Sequence, residues 1–252
     1  MVQGVAVVVV AVVDMAATGV EVPMVEVEVE VAAAPAAVGR VALVAGATGL
    51  VGREVLAALL ADKRYAAVLA LGRRQLVEQH PKLVSLQVDF SSLPALPPVD
   101  DVYIALGTTI KVAGSKQAFR AVDFDAVLAL AQAAHQAGAT RLAVVSAMGA
   151  NPHSGVFYSR VKGEMEQALG TLGYRTLAIA RPSMLAGNRA ALDQPTRVGE
   201  LLALAISTAL KPLIPANYRA IWARDVAQTL VGAITEGRVG SRVILSGEMQ
   251  PG

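Results

Sequence analysis

Residues 41 to 56, Val41-Ala-Leu-Val-Ala-Gly46-Ala-Thr48-Gly49-Leu50-Val51-Gly52-Arg-Glu-Val-Leu56, limit the fold more than any other stretch of the chain. Val41 to Ala45 are small and apolar without alternation, which reads as a strand buried on both faces, as parallel strands are. Gly46, Gly49 and Gly52 follow at the spacing G-x-x-G-x-x-G. Val51, Val55 and Leu59 then recur at helical spacing, with Leu56 and Leu60 beside them. Strand, glycine turn and helix in that order are the context in which such a spacing means dinucleotide binding. Gly46 allows the tight turn, Gly49 lets a pyrophosphate approach the backbone, and Gly52 lets the helix lie close on the strand. The N–H groups from Thr48 through Leu50 and Val51 to Gly52, at the helix N-terminus, then face the phosphates.

From residue 39 onward the chain keeps an alternating strand and helix rhythm, which implies an α/β fold, a Rossmann-type doubly wound parallel sheet with helices on both faces. After a first helix ending near Lys63, the pattern predicts strands over 65–71, 83–88, 101–105, 141–146, 175–180 and 242–245. It predicts helices over 115–137, 156–172, 196–210 and 223–236, the first two closed by Gly138 and Gly173. The apolar helix over 196–210, with the connection that follows, makes a small C-terminal cap from about residues 183–222, over a domain spanning 39–252. At 252 residues this is one domain with a small appendage.

The appendage is residues 1–38. Fifteen of them are valine and none is Lys or Arg, so the remainder carries 22 basic against 15 acidic residues. This low-complexity extension is expected to be disordered. Its apolar run Val5 to Val13 is nine residues, too short to span a bilayer. It has neither the basic start of a secretory signal nor the Arg-rich pattern of a transit peptide. The expectations are a cytoplasmic protein and no membrane partner. The chain has no cysteine, which excludes disulfides, thiolate catalysis and Cys-ligated metal. His80, His135 and His153 stand alone, so no metal site is expected. With a net charge of +2 and scattered basic residues, nucleic acid is not expected as a partner either.

The end of the second strand selects the nucleotide. An acid there binds the two ribose hydroxyls of NAD, whereas arginine accommodates a 2′-phosphate. This chain has Arg73 and Arg74, and guanidinium matches phosphate in a bidentate fork. The cofactor is therefore expected to be NADP(H), with NAD(H) as the alternative. Asp89 and Phe90, after the third strand, are placed to meet the adenine amine and ring. Leu106, Gly107, Thr108 and Thr109, after the fourth, would run past the pyrophosphate and nicotinamide ribose.

Tyr158 and Lys162 stand at i and i+4 of a helix, on one face. A phenol with a pKa near ~10 is a poor acid–base group at neutral pH. A neighbouring ammonium and a cationic nicotinamide both favour its phenolate. Ser146, at the C-terminal end of the fifth strand, can hydrogen-bond a substrate oxygen as charge develops on it. Lys162 can also hold the nicotinamide ribose.

Together these motifs resemble the short-chain dehydrogenase/reductase superfamily, whose atypical and extended branches carry G-A-T-G-x-x-G. Ala105 to Thr109, Ser146-Ala-Met-Gly-Ala, Phe157-Tyr158-Ser-Arg-Val-Lys162-Gly-Glu and Arg181-Pro182 are similar to the Tat-interacting-protein-like NAD(P)H-binding subgroup. The resemblance runs from about residue 40 to the C-terminus. It implies NADPH in the glycine crevice, with Ser146, Tyr158 and Lys162 as catalytic residues. It also implies that the segment from Arg181 through Pro182 and Ser183 to Met184 passes the carboxamide. The expected activity is oxidoreduction of a small-molecule carbonyl or secondary alcohol, by a monomer or a homodimer. A nucleotide-sugar epimerase or dehydratase shares the same triad, and some relatives are suspected of sensing nucleotide without turnover. Ser183 stands where the subgroup often has glycine, and no asparagine of a catalytic tetrad is assigned.

Overall fold

In a computed structural model of the protein, residues 39–186 and 215–250 are described. Strand β1 (Arg40–Ala45) leads into α1 (Leu50–Ala61), followed by β2 (Tyr65–Gly72), β3 (Leu83–Gln87) and β4 (Asp101–Ile104). A short α2 (Ile110–Ala113) precedes α3 (Lys116–Arg120), a π-helical turn (Ala121–Ala126) and α4 (Val127–Gln136). Then come β5 (Arg141–Val145), α5 (Phe157–Gly170), β6 (Thr176–Arg181) and the short β7 (Leu185–Ala186) and β8 (Ile221–Trp222). The chain continues through α6 (Ala223–Glu236) and β9 (Gly240–Leu245).

Seven strands form one sheet in the order β3-β2-β1-β4-β5-β6-β9, and every pairing in it is parallel. The doubly wound reading holds. The chain builds outward from β1 in one direction and restarts at β4 in the other. The switch point where ligands bind in such sheets therefore lies between the C-terminal ends of β1 and β4. Helices cover both faces. Val55 and Leu59 of α1 join Val226, Leu230 and Ile234 of α6 in one cluster. Val127 and Leu130 of α4 join Met165 and Leu169 of α5 in the other. Leu43 and Leu142, both fully buried in the sheet, explain why β1 and β5 read as unbroken apolar runs.

The opposite end of the sheet is held by charge. Asp101, fully buried at the start of β4, accepts from the Tyr65 hydroxyl at 2.7 Å and from the Arg141 guanidinium. Tyr65 and Tyr103 share a 2.8 Å hydrogen bond, and burial raises both phenols so that they stay protonated.

The sequence reading differs from the structure in one predicted helix. The helix predicted over 115–137 is α3, a π-helical turn and α4, with the unpredicted α2 before it. The extra residue per turn comes where Asp123 enters the buried stripe. The cap helix predicted over 196–210 and the extension 1–38 lie outside the described residues. Of the cap, β7 and β8 pair in parallel through Leu185–Ile221 and Ala186–Trp222.

Candidate active site

Gly46 closes β1 in the left-handed region, at φ 87°. A Cβ there would stand 2.5 Å from the carbonyl oxygen of Ala105, where β4 ends. On Gly52 a Cβ would lie 2.0 Å from the Gly46 carbonyl oxygen. The turn is therefore packed backbone to backbone between β1, β4 and α1, and no other residue type fits it. Its hydrogen bond runs from Gly49 N–H to the Gly46 carbonyl at 2.9 Å. Among the described residues no side chain caps α1, whose N-cap is Gly49, and no acid lies in its first turn. The N–H groups of Leu50, Val51 and Gly52 consequently lack intrahelical acceptors, with Thr48 exposed beside them. This uncapped, acid-free helix start over a glycine turn fits a pyrophosphate.

Arg73 and Arg74 follow β2 directly, and both are exposed. Asp89 is exposed after β3, and its carboxylate accepts the Ser91 N–H at 2.9 Å. That backbone hydrogen bond holds its carboxyl below the usual range. Phe90 is half-buried, packed against the core cluster on the α4 and α5 side. These four residues stand at the ends of β2 and β3, on the side of β1 where adenosine is expected.

On the other side of the switch point, Lys162 of the sequence pair is brought to the loop after β4. Lys162 is 3% exposed although it carries a charge. Its Nζ lies 2.7 Å from Oδ1 of Asp123, and a Cβ on Gly107 would stand 4.0 Å from that Nζ. Asp123 Oδ2 accepts the Thr108 N–H at 2.8 Å, and Thr109 caps α2 through the Val112 N–H. Tyr158, half-buried one turn before Lys162, has its ring 5.3 Å from that of the buried Phe119. Asp123 was missed in the sequence, yet a signal was there. It continues the stripe Phe119, Val127, Leu130 and Ala134, all otherwise apolar and buried.

Ser146 does not stand free. Its hydroxyl donates to Glu166 of α5, one turn beyond Lys162. Arg181, at the end of β6, grips the same carboxylate, with Nε at 3.0 Å from Oε1 and Nη2 at 2.5 Å from Oε2. Glu166 was also missed, although it too interrupts a buried stripe, Val161, Met165 and Leu169. Pro182 accepts the Met148 N–H at 3.0 Å. The Ser183 hydroxyl donates to the Arg219 carbonyl and accepts from Ser246. Met184 is exposed.

A nucleotide crevice at the switch point of a parallel sheet, with a lysine and a tyrosine on the facing helix, defines a dinucleotide-binding protein. The chain belongs to the family described as NAD(P)H-binding, whose model matches residues 46–187. Among curated proteins it is similar to "Protein fmp52, mitochondrial" of Emericella nidulans, with 35% identity over 159 residues, 59% of this chain and 68% of that protein. It is similar also to the protein of the same name in Aspergillus fumigatus, at 31% identity over 84% of this chain and 91% of that one. Solved structures share the fold. MoeE5 in complex with UDP-glucose and NAD superposes with a TM-score of 0.62 at 18% identity, over 82% of this chain and 75% of that one. A short chain dehydrogenase family protein from Francisella tularensis gives 0.59 at 13% identity, over 83% and 98%. The mitochondrial names of the curated relatives overturn the expectation of a cytoplasmic protein. That expectation leaned on residues 1–38, which lack the basic residues by which a transit peptide is read. Among the described residues no helix is long and apolar enough to cross a membrane.

Proposed function

We propose that this chain is a mitochondrial NADP(H)-dependent oxidoreductase of the atypical short-chain dehydrogenase/reductase branch, in its Tat-interacting-protein-like subgroup. Its substrate is a carbonyl or secondary alcohol. The observation that carries the reading is the placement of Lys162. Its ammonium is buried within reach of the loop after β4, and that loop starts where β4 touches the glycine turn. The nicotinamide, when bound, gives hydride to the carbonyl or, in the oxidised form, takes it from the alcohol. The N–H groups from Thr48 to Gly52 hold the cofactor's pyrophosphate, and Arg73 and Arg74 its 2′-phosphate. Asp89 and Phe90 meet the adenine. Leu106 to Thr109 and the segment from Pro182 to Met184 line the nicotinamide end. Lys162 holds the ribose, and its charge favours developing negative charge on the Tyr158 oxygen. Tyr158 then gives its proton to the substrate oxygen, or takes one in the reverse direction.

One observation favours a second reading. The Ser146 proton is committed to Glu166, which leaves the substrate oxygen without that donor. Such a site suits a protein that binds NADPH and reports its level to a partner. Calorimetric titration of the full chain with NADPH and NADH, followed by a screen of aldehydes, ketones and quinones for NADPH oxidation, tests both. Tight NADPH binding with turnover is the expected result. Tight binding without turnover on any substrate puts the sensor first, and no binding of either nucleotide refutes both.

A further inference from the structure

Asp123 is fully buried in a helix stripe that is otherwise apolar. A carboxylate there is costly, because removing a charged pair from water is repaid incompletely by its mutual attraction. An apolar side chain would serve packing at least as well. The residue also sits in a π-helical turn, Ala121–Ala126, and such turns recur at functional sites because they re-aim a side chain within a helix. Here the turn aims one carboxylate in two directions. Oδ1 meets Lys162 Nζ at 2.7 Å, and Oδ2 accepts the Thr108 N–H at 2.8 Å. Lys162 is on α5 and Thr108 in the loop after β4, so these two elements are joined through a single side chain.

We propose that Asp123 is a positioning residue that sets Lys162 and the β4 loop in register for the nicotinamide end of the nucleotide. The proposal rests on the reading that the crevice binds NADPH. An asparagine could still accept the Thr108 N–H, but it could not hold the ammonium.

The test is a double-mutant cycle on the full chain, read by calorimetric NADPH affinity and by melting temperature. The variants are Asp123→Asn, Lys162→Met and the two combined. Each single variant leaves one buried charge without its partner, whereas the double variant removes both. About tenfold weaker NADPH binding is expected for each variant, as for loss of a charge-assisted bond. The three are expected to agree within about threefold, because each breaks the same unit. The double variant should melt above either single one. If one single variant does not fold, the other compared with the double decides. Two results overturn the proposal: wild-type affinity in Asp123→Asn, or a double variant that loses the product of the two single losses. A wild-type protein that binds no nucleotide refutes the crevice reading and this proposal with it, a failure visible before any substitution is made.

Discussion

Gly49→Ala separates the nucleotide from the fold. Gly49 has φ −86° and ψ 169°, an extended conformation that alanine adopts without strain. An added Cβ would lie 3.2 Å from the Gly46 carbonyl oxygen, its one neighbour within 4 Å among the described residues. The turn must yield by a few tenths of an ångström, and alanine is a poorer N-cap than glycine. Together these cost about 1 kcal/mol, and a protein of this size loses about 2–4 °C of melting temperature for each such step. Among the described residues nothing else lies within 4 Å of that methyl, on the side where α1 presents its first N–H groups. A pyrophosphate drawn to the backbone there would lose at least one charge-assisted hydrogen bond, about 1.5–3 kcal/mol. Calorimetry should therefore read NADPH binding weakened roughly tenfold to 150-fold. Gly52→Ala is the contrast. Its Cβ would stand 2.0 Å from the Gly46 carbonyl oxygen, so the turn itself must move, and circular dichroism should show a much larger loss of stability. If Gly49→Ala folds and binds NADPH with wild-type affinity, the nucleotide does not approach the backbone at that turn.

Arg73→Asp should weaken NADPH binding tenfold to hundredfold and narrow the gap to NADH, again the worth of one charge-assisted bond. Unchanged NADPH preference in that titration would assign the 2′-phosphate to Arg74 or to another residue. Asp101→Asn should cost about 3 kcal/mol while leaving NADPH affinity intact, because the network of Asp101, Tyr65 and Arg141 lies at the end of the sheet away from the crevice. An unchanged melting temperature would mean that the network contributes nothing to stability. Ser146→Ala should slow carbonyl reduction less than about tenfold, because its hydroxyl already serves Glu166. A fall of about 10²–10³, the worth of an oxyanion donor, would show that Ser146 turns toward the substrate.

Residues 41–60 were legible because strand, glycines and helix face each follow a local rule, and the structure keeps all three. The helix over 223–236 was read to its ends, since it is strongly amphipathic and closes at Gly237 in the left-handed conformation. The helix over 115–137 was read as continuous because a π-helical turn leaves no mark in a 3.6-residue period. For Asp123 and Glu166 the obstacle was different. Each belongs to an apolar stripe, but its partner comes from elsewhere in the chain: Lys162 and Thr108 for Asp123, Ser146 and Arg181 for Glu166. Such pairings depend on which strands lie side by side, and periodicity within one segment does not contain that. The same limit applies to Ser146, whose place at the end of β5 was read while its hydrogen-bond partner was not.

The claim that Tyr158 moves the proton is tested most directly by Tyr158→Phe, measured against a substrate found in the NADPH oxidation screen. The substitution keeps the ring that packs 5.3 Å from Phe119 and removes one hydroxyl. NADPH affinity should stay within about threefold of wild type, since the glycine turn, the arginines and Lys162 are untouched, a change of under 1 kcal/mol. The rate of carbonyl reduction should fall by about 10²–10⁴-fold, the worth of a positioned proton donor. A Tyr158→Phe protein that reduces the same carbonyl at the wild-type rate would contradict the account.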